Sequence, residues 1–107
     1  MAKEFTKENW EQEVLKNEGV TIVDFWAGWC GPCRILGPTI DKLAEEMGNV
    51  ASIGKLNVDL DGGIASEAGI RGIPTVIAYK NGKEVMRKAG VSQLAELKTM
   101  IETAAKA

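Results

Sequence analysis

The sequence predicts an α/β fold: a central mixed sheet of about five strands flanked by about four helices, in one domain spanning residues 1–107. Three observations carry that prediction. Strand-like and helix-like patterns alternate early in the chain, which calls for parallel strands joined by crossover helices. The run Val20–Ala27 is apolar on both faces, the mark of a strand covered on both sides. Asn81-Gly82, set between two strand-like runs, is the favoured pair for a two-residue type I′ hairpin and adds antiparallel pairing near the end.

A short strand begins at Lys3. The spacing then predicts a helix over Lys7–Lys16, capped by Thr6, with Glu8 in its first turn and Trp10 and Val14 on one face. Asn17–Gly19 ends it. Val20–Ala27 follows as a strand rich in β-branched and aromatic residues. A second helix runs from about Pro32 to Met47, with Leu36, Ile40, Leu43, Ala44 and Met47 on one stripe. Pro38 lies inside it, after Gly37, and removes a backbone donor while crowding the carbonyl of Arg34, so a kink is expected. Val50–Val58 reads as a strand, and Asp61-Gly62-Gly63 opens a short helical segment ending near Gly69. The hairpin pairs Thr75–Lys80 with Lys83–Lys88. Ser92 caps a last helix that buries Leu94, Leu97, Ile101 and Ala104.

Charge excludes several classes of function. Thirteen Lys and Arg stand against 15 Asp and Glu, a net −2, so nothing favours nucleic acid or an anionic membrane as main partner. No apolar run approaches the ~18–20 residues of a membrane span. Glu4 stands where a signal peptide's hydrophobic region would begin, which predicts a cytoplasmic protein. The chain has no histidine, which removes Ser-His and Cys-His nucleophile pairs and every His-containing metal site.

The chemistry therefore falls on two cysteines, in Trp29-Cys30-Gly31-Pro32-Cys33, just after the central strand and at a helix start. The carboxyl end of a central strand is where sites form in open sheets. Side chains at i and i+3 lie about 5–6 Å apart at Cβ, and a modest rotation reaches disulfide geometry. Dithiol and disulfide are thus both accessible. Cys30 sits at or next to the N-cap, where free N–H groups and the helix dipole stabilise a thiolate. Pro32 has no N–H to give, which leaves the Cys33 amide as the single donor. Cys33 lies one turn in and is shielded, so Cys30 is the expected nucleophile and Cys33 the resolving thiol. A structural disulfide across two residues would remove little unfolded-state entropy, and a structural zinc site would want four ligands. A metal or cluster shared between two chains is the one such arrangement left open.

The sequence resembles the thioredoxin family over nearly its whole length. The resemblance rests on Val23-Asp24-Phe25-Trp26-Ala27, Trp29-Cys30-Gly31-Pro32-Cys33, Pro38, Lys55, Gly69–Thr75, Lys80-Asn81-Gly82 and Gly90. It implies the thioredoxin fold and a thiol–disulfide oxidoreductase that reduces disulfides in other proteins, is re-reduced by a thioredoxin reductase, and binds no cofactor or metal. A monomer is expected. Asp24, the only charge in an apolar strand, becomes the base that takes the Cys33 proton, against the plainer reading of a strand-end Asp paired to backbone. The family pattern places Lys55 near Asp24, Trp26 beneath the site as support with Pro38, and Trp29 beside the nucleophilic thiol. X-Pro bonds are mostly trans, but the resemblance implies a cis Ile73-Pro74 bond beside Cys30. Gly31, Pro32, Ile73, Pro74, Gly90 and Val91 would then form a shallow apolar docking surface, with Ile73 pairing an extended substrate segment. Gly28, Arg34, Gly37 and the proline-free Leu60–Gly63 depart from the commonest pattern.

Two rivals remain at this level. Oxidases and isomerases of the same fold usually carry His between the cysteines, and Gly31-Pro32 offers no such charge. From another class, a non-catalytic binding or chaperone subunit would use the same docking face, and its function would survive alkylation of both cysteines.

Overall fold

The computed structural model describes residues 1–107. Its elements, in chain order, are β1 (Lys3–Glu4), a short π-helical segment (Glu11–Leu15), β2 (Val20–Trp26), α1 (Gly31–Met47), β3 (Ala51–Asn57), α2 (Gly62–Glu67), β4 (Thr75–Lys80), β5 (Lys83–Ala89) and α3 (Leu94–Ala105). They make one five-stranded sheet in the order β1-β3-β2-β4-β5. The first three pair in parallel, and β4 runs antiparallel to both β2 and β5. This is the mixed thioredoxin-type sheet that the sequence predicts, with helices on both faces.

β2 is central, and every residue from Val20 to Phe25 is buried. Its side chains alternate between two cores. Val20 and Ile22 face Leu36, Ile40 and Leu43 of α1 and Leu97 and Ile101 of α3. Val23 and Phe25 face Phe5, Val14, Leu56 and Tyr79 on the other side. Asp24 shares the parity of Ile22 and so lies on the α1 face. At the hairpin, Asn81 (φ 53°) and Gly82 (φ 81°) both take the left-handed conformation that a type I′ turn demands. One extra residue, Val85, bulges from β5 where the register shifts between Ala78 and Tyr79.

Two local expectations are corrected. The helix expected over Lys7–Lys16 is instead a turn followed by the π-helical segment, closed by the Lys16 N–H on the Glu11 carbonyl at 2.8 Å. Thr6 does not cap it with its side chain. Asn9 Oδ1 accepts from the Thr6 N–H at 2.8 Å, the reach-back half of a capping box at the turn. Trp10 meets Phe5, Phe25 and Tyr79 edge to face, which fixes the segment by packing. At α3 the N-cap is Gln93 and not Ser92: the Glu96 carboxylate accepts the Gln93 N–H at 2.8 Å, while Ser92 is buried one residue earlier. α1 runs unbroken through Pro38, which costs the helix a single donor.

Gly54 is the tightest point between sheet and amino terminus. A Cβ there would come within 2.8 Å of the Lys3 carbonyl oxygen and collide with the Phe5 ring. Gly54→Ala should therefore destabilise the fold by about 1–3 kcal/mol, the usual cost of overpacking a filled site. A shift of the urea midpoint to lower concentration with an unchanged slope would show it, and an unchanged midpoint would mean that the amino-terminal strand moves aside freely.

Candidate active site

β2 ends at Trp26, and four residues later α1 begins with Cys30 as its N-cap. Cys30 has an extended backbone (φ −90°, ψ 112°), and its sulfur accepts the Cys33 N–H at 3.2 Å. That is the single donor expected once Pro32 is discounted. The same first turn is closed by the Arg34 N–H on the Cys30 carbonyl at 3.3 Å. Cys30 and Cys33 are joined as a disulfide with Cα atoms 5.2 Å apart, and both are nearly buried, at 5% and 2% exposure. They cluster with Ala27, against Trp26, Val58 and Ile73. The Cys30 sulfur lies 3.7 Å from the carbonyl oxygen of Ile73, on the loop before β4.

That loop carries a cis Ile73-Pro74 bond, as the resemblance implies. Thr75 Oγ1 donates to the Gly72 carbonyl at 2.6 Å, and the Gly90 N–H donates to the Pro74 carbonyl at 2.8 Å. Gly90 adopts φ +85°, a conformation that L side chains rarely take. Around the disulfide, Gly31, Pro32, Trp29 and Val91 are exposed, while Ile73 and Gly90 are half-buried. Pro74 is buried, so its neighbours supply the exposed surface there. A groove of about 350 Å³ runs beside Trp29 and Ile73, walled by Val58, Ile70 and Arg71. Pro38, by contrast, sits exposed on α1 among the helix's own turns.

Behind the disulfide, Asp24, Trp26, Cys33, Arg34, Gly37 and Lys55 line a second cavity of about 190 Å³. Asp24 is fully buried, and neither carboxylate oxygen is hydrogen-bonded to another group of the protein. Burial pushes its pKa from the ordinary 3.8 up to about 7; the Lys55 charge pulls it down and the Asp41 charge pushes it further up. Lys55 is the register neighbour of Asp24 across β2 and β3, so the two share a face. Its ammonium is bonded elsewhere, at 3.3 Å from Asp41 Oδ2 on α1.

Sequence reasoning did not find Asp41, nor Asp59, which accepts the Trp29 indole N–H at 3.0 Å and holds that exposed ring. It also missed Arg34 donating to the Gly28 carbonyl at 2.8 Å, which ties α1 back to the loop before it. Asp41 had one available signal: it stands four residues after Gly37, on the stretch of helix that faces the sheet at Lys55.

The thioredoxin family model matches residues 1–103. Thioredoxin from Rickettsia felis is 42% identical over 93 residues, 87% of this chain and 89% of that one. Thioredoxin from Chlorobaculum thiosulfatiphilum is 47% identical over 87 residues, 81% of each chain, and "Thioredoxin 2" from Chlorobaculum tepidum is 47% identical over the same length. The family match thus takes in the disulfide, the unpartnered carboxyl and the groove together, and the chain belongs to the thioredoxin family, as a thiol–disulfide oxidoreductase.

Proposed function

We propose that the protein reduces disulfides in protein substrates through Cys30-Gly31-Pro32-Cys33 and is returned to the dithiol by a thioredoxin reductase. The observation that carries this reading is the Cys30 sulfur at a helix N-terminus, accepting the Cys33 N–H while facing the Ile73 carbonyl. The helix start and the Cys33 N–H both favour this sulfur as thiolate. The Cys30 thiolate attacks one sulfur of a substrate disulfide, and the other sulfur leaves as a thiolate. Cys33 then gives its proton to the Asp24 carboxylate and attacks the Cys30 sulfur. The bond from Cys30 to the substrate breaks, the substrate leaves with two reduced sulfurs, and the dithiol has become the disulfide.

The remaining residues serve this exchange. Asp24 lines the same cavity as Cys33 and is poised near neutral pH, where a base is of most use. Lys55 tunes it. Trp29, Gly31, Pro32, Ile73, Gly90 and Val91, with Pro74 beneath, receive the substrate chain, and Trp26 backs the cysteines. The working unit is the one domain, a monomer in the cytoplasm, with no cofactor or metal in the exchange itself.

Reduction of insulin disulfides, coupled to a thioredoxin reductase and its reductant, tests the reading directly. Turnover should vanish in Cys30→Ser. Cys33→Ser should accumulate a mixed disulfide through Cys30, visible as a mass increase that dithiothreitol reverses, and Cys30→Ser should accumulate none. Trapping through Cys33 would exchange the two roles.

Stability should report on Asp24. Below pH 3.8 its carboxyl is neutral in both folded and unfolded chains and imposes no charge penalty. Between 3.8 and about 7 the unfolded chain ionises and the folded one does not, so stability falls as pH rises, and above about 7 the loss is complete. At about 1.4 kcal/mol per pH unit of that window the full loss is about 4 kcal/mol. Asp24→Asn should be more stable than the parent by about 2–4 kcal/mol at pH 8 and nearly equal to it at pH 3.5. Its release of a preformed mixed disulfide should slow about 10²-fold, the usual weight of general base catalysis. Urea melts at the two pH values and single-turnover kinetics check both halves; a variant that resolves at the parental rate would remove Asp24 from the chemistry.

A further inference from the structure

Asp24 is surrounded by few charges. From β3 comes Lys55, with Glu4 of β1 at the next register position beyond it. From α1 come Arg34 and Cys33, which line the same cavity, and Asp41. β4 presents Val76 opposite Asp24, and α3, on the same face of the sheet, turns Lys98 to Glu46 and Glu96 to Lys88. Lys55 is thus the cation best placed to neutralise Asp24, sharing its face and its register. Yet both Asp24 oxygens are without partner, and the Lys55 ammonium lies over α1 instead. There it meets Asp41 Oδ2 and sits about where a side chain at Gly37 would touch it, at 3.5 Å. Asp41 is itself fixed, since its other oxygen accepts the Ala2 N–H at 3.2 Å.

We propose that Asp41 is a positioning residue for disulfide exchange: anchored by the amino-terminal backbone, it holds the Lys55 ammonium over Gly37 and so keeps Asp24 from being paired beside Cys33. This rests on the reading of Asp24 as the base. A carboxylate locked in an ion pair is a poor proton acceptor at neutral pH, because an opposite charge within ~4–6 Å stabilises its ionised form. A second carboxylate that occupies the lysine removes that competition and leaves the cavity open to the Cys33 proton. Glu4, on the far side of Lys55, is exposed and forms no ion pair with it.

The test follows the Asp24 carboxyl carbon by NMR titration in the disulfide form, where neither cysteine titrates. Asp41→Asn keeps an acceptor for the Ala2 N–H while giving up its charge, and Asp41→Ser serves as a second variant should Asn not fold. Either should move the Asp24 midpoint to lower pH by about one unit as Lys55 swings inward. Asp41→Glu should restore the parental midpoint. In a Lys55→Gln background the same Asp41→Asn change should move it by less than half as much. An unmoved midpoint, or an equal shift with and without Lys55, would overturn the assignment, the latter by showing that Asp41 acts through its own charge alone. The resolving rate of Asp24→Asn is read separately: if it stays parental, the base assignment fails while the titration still reports whether Asp41 positions Lys55.

Discussion

β2 is covered on both faces, and that burial sets the conditions for everything at its carboxyl end. A strand with a helical layer on either side gives water no access to its side chains, so an ionisable group placed there must lose its hydration whatever its neighbours do. Asp24 is such a group, and its raised pKa follows from the sheet order before any ion pair is counted. The same strand delivers the chain to the start of α1, so the cysteines inherit a fixed direction and depth. The antiparallel return of β4 then brings Ile73 to within contact of Cys30 across 43 residues of sequence.

The two halves of the site work by opposite electrostatics. At Cys30 the helix start supplies an N–H and a dipole end, which favour a negative sulfur. At Asp24 the low-polarity interior opposes a negative oxygen. One position favours negative charge and the other opposes it, within a single turn of helix and one strand. Cys33 lies between them, nearly buried and on the same cavity as Asp24.

Much of this was legible in the sequence, for reasons that are local. The apolar run of β2 announced a strand covered twice, and the one Asp in it announced a desolvated carboxyl. Pro32 lacks an N–H, which left Cys33 as the donor to the sulfur. Asn81-Gly82 fixed the hairpin, because few other pairs adopt two positive φ angles cheaply. What stayed hidden depended on how separate elements cross. The Lys55–Asp41 bond exists because α1 passes over β3 at a given height, and no periodicity in either segment states that height. Asp59 finds the Trp29 indole across 30 residues for the same reason. The regular helix expected there gives way to a π-helical segment because Trp10 is placed by its packing on Phe5, Phe25 and Tyr79, which no periodicity states.

The outer strands of the sheet are built very differently from its centre. β1 offers two residues, too few to align a foreign strand. β5 is longer, but it carries Lys83, Glu84, Arg87 and Lys88, and the bulge at Val85 breaks its ladder. Arg87 is further occupied by Glu84 and by the carbonyl of Ala68. Both margins of the sheet therefore hinder edge-to-edge stacking, so copies of the chain at high concentration meet a poor template for a cross-β aggregate.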